Sequence, residues 1–479
     1  MSTAAPSPPS SPADSTAATR RPWRENIEAL IVAIAVALLF KYFILEISKI
    51  PSGSMQPTLM GNPDTGVYDR VLVDKLSMRM RDPERFEIIV FKHPLEQSRI
   101  MVKRLVGMPG ERLRVFNGDL WTRANESEAW EILRRPDQVQ EGAWRTIDLD
   151  APQASNWTQV LGDSNWLMSG RDISAGAAGR MRYRADDNSI RDRYTDGYPD
   201  VLRSGVKPQD ARMLRGISPV GDLRVSSDVS AEGDLVALVF QLSEGPFAYE
   251  FSIPGPAAAA DARPSMEVRE QGSVVTIVQA EEPFQLRADR GTEVSVWNLD
   301  DRLGLRVDDQ VLLEVDVAPV SDQRSSIFLE LNGGGAELAD LMVERDIYYL
   351  APDRRSWQVD IPEDSYVVLG DNTQDSADSR DWRAQVWTLD DADGEAIEIK
   401  GNFRDRDENP TRVKGENGEQ LTRFRDRWGE KHWFEEGEAQ PGLQFHAALV
   451  PRSAIQGRAV ATFWPLKPWK KLWRLGWLH

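Results

Sequence analysis

The chain is 479 residues long and carries 76 acidic against 58 basic side chains, a formal net charge of −18. One compact core rarely grows to that size, so at least two folded units are expected, and the acidic balance excludes a broad cationic face for gripping nucleic acid. The absence of cysteine removes disulfides, thiol nucleophiles and thiolate metal sites. The four histidines (His93, His432, His446 and His479) include no HExxH pair, which argues against a zinc hydrolase.

The first nineteen residues are rich in Ser, Pro, Ala and Thr and hold no large aliphatic side chain after Met1, so residues 1–25 read as a disordered tail. From Ile27 to Leu45 the chain is apolar apart from Glu28 and Lys41, about the length a bilayer requires, with Trp23, Tyr42 and Phe43 at its boundaries. A cleaved signal peptide would have a shorter apolar run followed by small residues, whereas this one ends in Phe43, Ile44, Leu45 and Glu46. Residues 26–46 are therefore expected to anchor the chain as a single membrane span. Arg20, Arg21 and Arg24 precede it, which places the tail in the cytoplasm and everything after the span outside.

Directly after the span comes Ile50-Pro51-Ser52-Gly53-Ser54-Met55-Gln56-Pro57-Thr58-Leu59, stiffened by two prolines and loosened at one glycine. It would suit a hydroxyl held in one exposed position; taken alone, such a segment is most often an ordinary turn. Next, Arg70 to Lys75 and Glu87 to Pro94 read as short apolar strands. The run Arg99-Ile100-Met101-Val102-Lys103-Arg104-Leu105-Val106, ending in Gly107-Met108-Pro109-Gly110, reads as a half-buried strand and a turn. A Lys-Arg pair in a strand usually faces solvent, but a lysine among Met101, Val102, Leu105 and Val106 can lose hydration and become a base near neutral pH. No histidine–acid pair is evident that could serve instead. Far along the chain, Val367-Val368-Leu369-Gly370-Asp371-Asn372 is followed by Asp375-Ser376-Ala377-Asp378-Ser379-Arg380 and Trp382. This run lacks the glycine and the terminal glutamate of an EF-hand loop.

Together with Val450-Pro451 and Ile455 to Ala459, these segments resemble, in order, the boxes of the bacterial type I signal peptidase (leader peptidase) family, membrane-bound serine/lysine endopeptidases. The resemblance implies Ser54 as the nucleophile and Lys103 as its general base, with no metal or organic cofactor. It further implies an oxyanion site made by the Ser52 hydroxyl and the Ser54 N–H. Ser376 would orient the lysine, Asp378 and Arg380 would pair as support, Gly370 and Asp371 would start the turn, and Arg104 would be the structural neighbour of Lys103. The implied substrate is the signal peptide of an exported preprotein, extended beside Ile50, Pro51 and Met101, with Met55, Leu59 and Val102 as walls of pockets for small residues before the cut. The implied location is the bacterial plasma (inner) membrane.

About half of the chain lies outside that resemblance. A mainly β fold is expected throughout: catalytic core over 47–120, a cap of unclear fold over 121–215, an inserted β-sandwich over 216–322, a return to the core over 323–387, a charged insertion over 388–442, and a closing strand with a Trp/basic tail over 443–479. The sandwich reading rests on apolar residues that alternate or cluster at strand lengths over Leu235–Phe240, Phe247–Ile253, Val274–Val278, Val294–Leu299, Leu303–Val307 and Val311–Val317. Part of it resembles laminin-G or concanavalin-like modules, which implies a possible glycan partner. The Trp/basic tail would suit a membrane interface. The rival expectation for the whole chain is a membrane-tethered glycan receptor with a decayed peptidase core, against which the intact Ser54, Lys103 and Ser376 argue.

Overall fold

The computed structural model describes residues 22–62, 64–147, 156–162, 165–185, 189–352, 356–390, 396–404, 408–415, 417–467 and 472–478; of the tail expected over 1–25, residues 1–21 lie outside them and 22–25 are helical instead, and of the span expected over 26–46 the helix ends at Phe43, with Leu45 and Glu46 already in a strand. Pro22, whose missing N–H costs nothing in a first turn, opens the helix Pro22–Phe43. Its 22 residues rise about 33 Å. The window Asn26–Phe43 is long and apolar enough to cross a membrane, and none of it is buried against the rest of the protein. The remainder is mainly β, as the alternating sequence led us to expect.

An eight-stranded sheet forms the part nearest the helix. Its order runs Leu45–Lys49, Arg70–Asp74, Ile455–Trp464, Ile88–His93, Glu96–Gly107, Ser365–Leu369 and Val450–Pro451, with Gly476–Trp477 added beside Ile455–Trp464. Alternation along Glu96–Gly107 sends side chains to the two faces of the sheet, where they join three cores. Met101 and Leu105 pack with Phe91, Val368 and Trp382, while Val106 packs with Phe86, Leu113 and Val367 and Val102 borders Ile50, Met55 and Leu59. A four-stranded sheet of Ser356–Asp360, Arg112–Phe116, Asp119–Arg123 and Glu131–Ile132 lies alongside.

The sandwich reaches beyond 216–322 on both sides. One sheet orders Leu167–Ser169, Asp172–Ala175, Ala336–Arg345, Leu223–Ala231, Thr292–Leu299, Arg302–Val307 and Gln310–Asp316; the other orders Trp157–Leu161, Gly179–Tyr183, Ser325–Asn332, Ala237–Glu244, Phe247–Pro254, Ser265–Glu270 and Ser273–Gln279. Ser325–Asn332 and Ala336–Arg345, within the stretch expected to return to the core, are thus interior strands of the sandwich. They bury Ile327, Leu329, Leu331, Leu338, Leu341 and Val343, a pattern that the glycines of Gly333–Gly335 break into two short pieces. The segment 388–442 is also ordered β structure: Arg383–Asp390, Ala396–Phe403 and Ala439–His446 form one three-stranded sheet, and Thr411–Lys414, Gln420–Arg425 and Lys431–Glu435 another. Both gather on a small core of Trp387, Phe424, Phe434 and Ala439.

Phe240 is fully buried in the sandwich core, whereas Val275 sits 52 % exposed on the edge strand Ser273–Gln279. Phe240→Ala should therefore cost about 3–5 kcal/mol, and Val275→Ala should stay within about 0.5 kcal/mol. Denaturant unfolding of the two variants measures both; equal losses would mean that the sandwich core lies elsewhere.

Candidate active site

Three stretches that are remote in sequence meet around Lys103. The lysine strand lies in the sheet between Ile88–His93 and Ser365–Leu369, with Ile89 opposite Lys103 and Val368 opposite Leu105. Lys103 has no exposed surface. Its Nζ donates to Ser376 Oγ at 2.9 Å, and Ser376 Oγ donates in turn to Asp378 Oδ2 at 2.8 Å. Asp378 is itself buried, pairs with Arg380 at 2.6 Å and accepts the Gly370 N–H at 2.9 Å. Burial pulls the Lys103 ammonium down from its ordinary 10.5 to about 8; Asp378 works against that shift, and Arg380 and Arg99 add to it.

The serine loop is held against this group through its backbone. Ser54 O accepts from Asn372 N at 3.2 Å, and Gly53 O accepts from Asn372 Nδ2 at 2.9 Å. Gly370 makes the approach possible: a Cβ there would stand 2.1 Å from Ser376 Oγ and 2.4 Å from Ser54 O, so Ser54 and Ser376 converge on one point that only glycine leaves open. Gly61 does the same on the far side of the loop, where a Cβ would fall 2.5 Å from Ser52 O and 2.7 Å from Ile50 O. Ser54 is half-buried, and Ser52 and Pro51 are exposed. Among the described residues the Lys103 amine bonds to Ser376 and not to Ser54.

Beneath the loop lies a buried ion cluster. Arg104 grips Asp371 with two parallel bonds of 2.9 and 2.8 Å and also donates to Phe86 O. Thr58 Oγ1 donates to Asp371 Oδ2 at 2.6 Å and accepts from Arg145, whose guanidinium stands 3.7 Å from the same carboxylate. Burial alone would raise Asp371, but Arg104, Arg145 and Thr58 together hold it at about 2.

The structure does not group all the residues expected at the substrate side. Ile50, Met55 and Leu59 are buried in one cluster bordered by Val102. Met101 turns to the opposite face of the sheet, with Phe91 and Trp382. Sequence reasoning passed over Thr58, Arg145, Tyr194 and the role of Asn372. Thr58 and Asn372 stood inside the quoted segments, but Arg145 and Tyr194 come from the insertion, where nothing local marks them. Nor did it see that Asp426 and His432 approach to 3.2 Å. That carboxylate also accepts the N–H groups of Trp428 and Glu430, and so closes a turn. His93, pulled down to about 3 by burial, spends Nδ1 on the Leu95 N–H.

A family model described as signal peptidase, peptidase S26, matches residues 23–174. Over that stretch the chain is similar to the peptidase S26 signal peptidases. Relatives include a probable signal peptidase I-2 of Synechocystis, 36% identical over 105 residues, 21% of this chain and 45% of the relative. Signal peptidase I of Leptolyngbya laminosa is 34% identical over 138 residues, 27% of this chain and 64% of the relative. A probable signal peptidase I-1 of Synechocystis is 36% identical over 138 residues, 26% and 66% respectively. The chain thus spans less than two thirds of the length of each. Among solved structures, a Bacillus subtilis protein with a galectin-like fold aligns over 42% of this chain and 98% of its own, at 10% identity and a TM-score of 0.28.

The lowered lysine has a thermodynamic signature. Between about pH 8 and the ordinary 10.5 the unfolded chain holds a proton on Lys103 that the folded chain has shed, so the stability of the wild type rises with pH across that window. Lys103→Met removes the effect. The melting temperature of the wild type relative to this variant should climb from pH 8 to pH 10, and a constant difference would show a lysine of ordinary pKa.

Proposed function

We propose that this protein is a membrane-anchored endopeptidase that removes signal peptides, with Ser54 as nucleophile and Lys103 as general base. The observation that carries the reading is the buried Lys103 ammonium, drawn down to about 8 and bonded to Ser376 beside the Ser54 loop. A neutral amine in that position can take a serine proton at physiological pH, as a histidine does in the better-known triads. The relatives named as signal peptidases support the choice of substrate.

In the proposed cycle Ser54 rotates towards Lys103 Nζ and attacks the carbonyl at the end of the signal peptide, while the lysine receives its proton. The Ser52 hydroxyl, exposed on the loop, and the Ser54 N–H receive the developing oxyanion. Lys103 then protonates the leaving amine, and water, deprotonated by the same lysine, releases the acyl group. Ser376 and Asp378 keep the amine aimed throughout; Arg380 neutralises Asp378, so the carboxylate does not hold the proton on Lys103 indefinitely. Ile50, Met55, Leu59 and Val102 wall the pockets that take small side chains. The helix Pro22–Phe43 anchors the chain in the bacterial plasma membrane with residues 1–21 cytoplasmic. Exposed Trp464, Trp473 and Trp477 then rest at the interface on the outer side.

The test is cleavage of a preprotein whose signal peptide ends in Ala-X-Ala by the detergent-solubilised chain. Cleavage at that site is expected from the wild type, with losses on the order of 10³-fold or more in Ser54→Ala and Lys103→Ala. The pH–rate curve should rise to half its plateau near the Lys103 value of about 8. Cleavage that survives in Ser54→Ala, or a folded wild type without cleavage, would dispose of the reading.

A further inference from the structure

Where the sandwich meets the four-stranded sheet, three carboxylates from separate parts of the chain come together. Asp119 opens the strand Asp119–Arg123, Asp222 precedes Leu223–Ala231, and Asp300 lies in the turn between Thr292–Leu299 and Arg302–Val307. One oxygen of each lies within 4.8 Å of the other two. Asp119 and Asp222 are half-buried, but Asp300 is only 3 % exposed, and its Oδ2 has no hydrogen-bond partner.

The neighbouring guanidiniums offset the charge of Asp300 only in part, and neither bonds its carboxylate. Arg134 donates to the main-chain carbonyl of Asp300 and pairs with Asp316, and Arg135 pairs with Asp346 at 2.7 Å. Asp222 Oδ1 accepts the Asp300 N–H at 3.1 Å, which compensates one oxygen and no charge. Burial and the charges of neighbouring carboxylates, Asp300 among them, push Asp119 and Asp222 well above the carboxylate range, while burial and the nearby Asp346 raise Asp300 to about 7. Such a group is discharged either by taking up protons or by binding a cation. The donors are all hard oxygens, which suits calcium and offers little to zinc. Oxygens within 4.8 Å of one another can share one ion at calcium's bond lengths of about 2.3–2.6 Å. The half-open side admits the waters that complete its shell.

We propose that Asp119, Asp222 and Asp300 bind one calcium ion, which fastens the sandwich to the four-stranded sheet of the peptidase part. The inference stands apart from the Ser54 chemistry. Asp426, Glu430 and His432 form a second acidic group, but the hydrogen bonds that Asp426 already accepts within its turn account for its placement, so it serves as the control.

The test uses the full chain in detergent, stripped with EDTA and titrated with CaCl2 by calorimetry, with melting followed in parallel. One equivalent of calcium should bind, and saturating calcium should raise the melting temperature by about 5 °C. Asp300→Asn should lose both responses while melting, without calcium, no lower than the wild type, because the amide relieves repulsion. Should that variant fail to fold, Asp222→Asn and Asp119→Asn carry the same comparison. No saturable binding by the wild type would overturn the proposal and leave shared protons as the counter-charge. So would equal binding by the wild type and the Asp300, Asp222 and Asp119 variants, or loss of binding in Asp426→Asn instead.

Discussion

An ammonium group with no exposed surface constrains everything around it. Lys103 sits inside a sheet whose neighbouring strands satisfy its backbone and offer nothing to its side chain, so water must be replaced by other polar groups. Ser376 and Asp378 supply the replacement, and the geometry of Gly370 is what lets them reach it. Full ionisation of Asp378 would hold the lysine charged, but Arg380, in contact with the same carboxylate, weakens that hold. The outcome is an amine poised between its two forms, set by burial first and by a balance of two acids, Asp378 and Asp371, against two guanidiniums second.

The Arg104–Asp371 pair complements this arrangement on the other face of the same strand. Lys103 is deliberately left short of charge, whereas Arg104 is matched by two bonds, and a third partner reaches the same carboxylate through Thr58. Buried pairs of this kind add little net stability but are costly to break. They suit a place where the chain must keep one register, here the junction between the serine loop and the turn after Leu369. Arg145 joins the cluster from the insertion, and Tyr194 bonds Asn372, the residue that also carries Gly53. The insertion therefore touches the residues that hold the serine loop in place and is more than a decoration on the far side.

The strands with clean alternation were legible to within two or three residues: Phe247–Ile253 was expected and Phe247–Pro254 is found, Leu303–Val307 was expected and Arg302–Val307 is found. The sandwich's flanks were not, because Gly333–Gly335 interrupts one pattern and the strands between Trp157 and Tyr183 are short and polar. The sheets of 388–442 escaped notice since their core rests on very few apolar side chains, Trp387, Phe424 and Phe434 among them. At the site, spacing within a segment could be read, as for Ser376, Asp378 and Arg380. Pairings across long separations could not: nothing in the vicinity of Arg145 or Tyr194 reveals that each will find a partner in the serine loop or in the Gly-Asp-Asn turn.

The order of strands in the main sheet bears on how the chain reaches its folded state. Ile455–Trp464 lies between Arg70–Asp74 and Ile88–His93, and Arg458 bonds Glu87 across 371 residues of sequence. This interior strand is thus far in sequence from both of its neighbours, and closing it over so long a loop is slow. The sandwich, whose strands are all made earlier, is free to fold first as a unit. On this topology the main sheet, and with it the segments that carry Ser54 and Lys103, closes only once Ile455–Trp464 has docked.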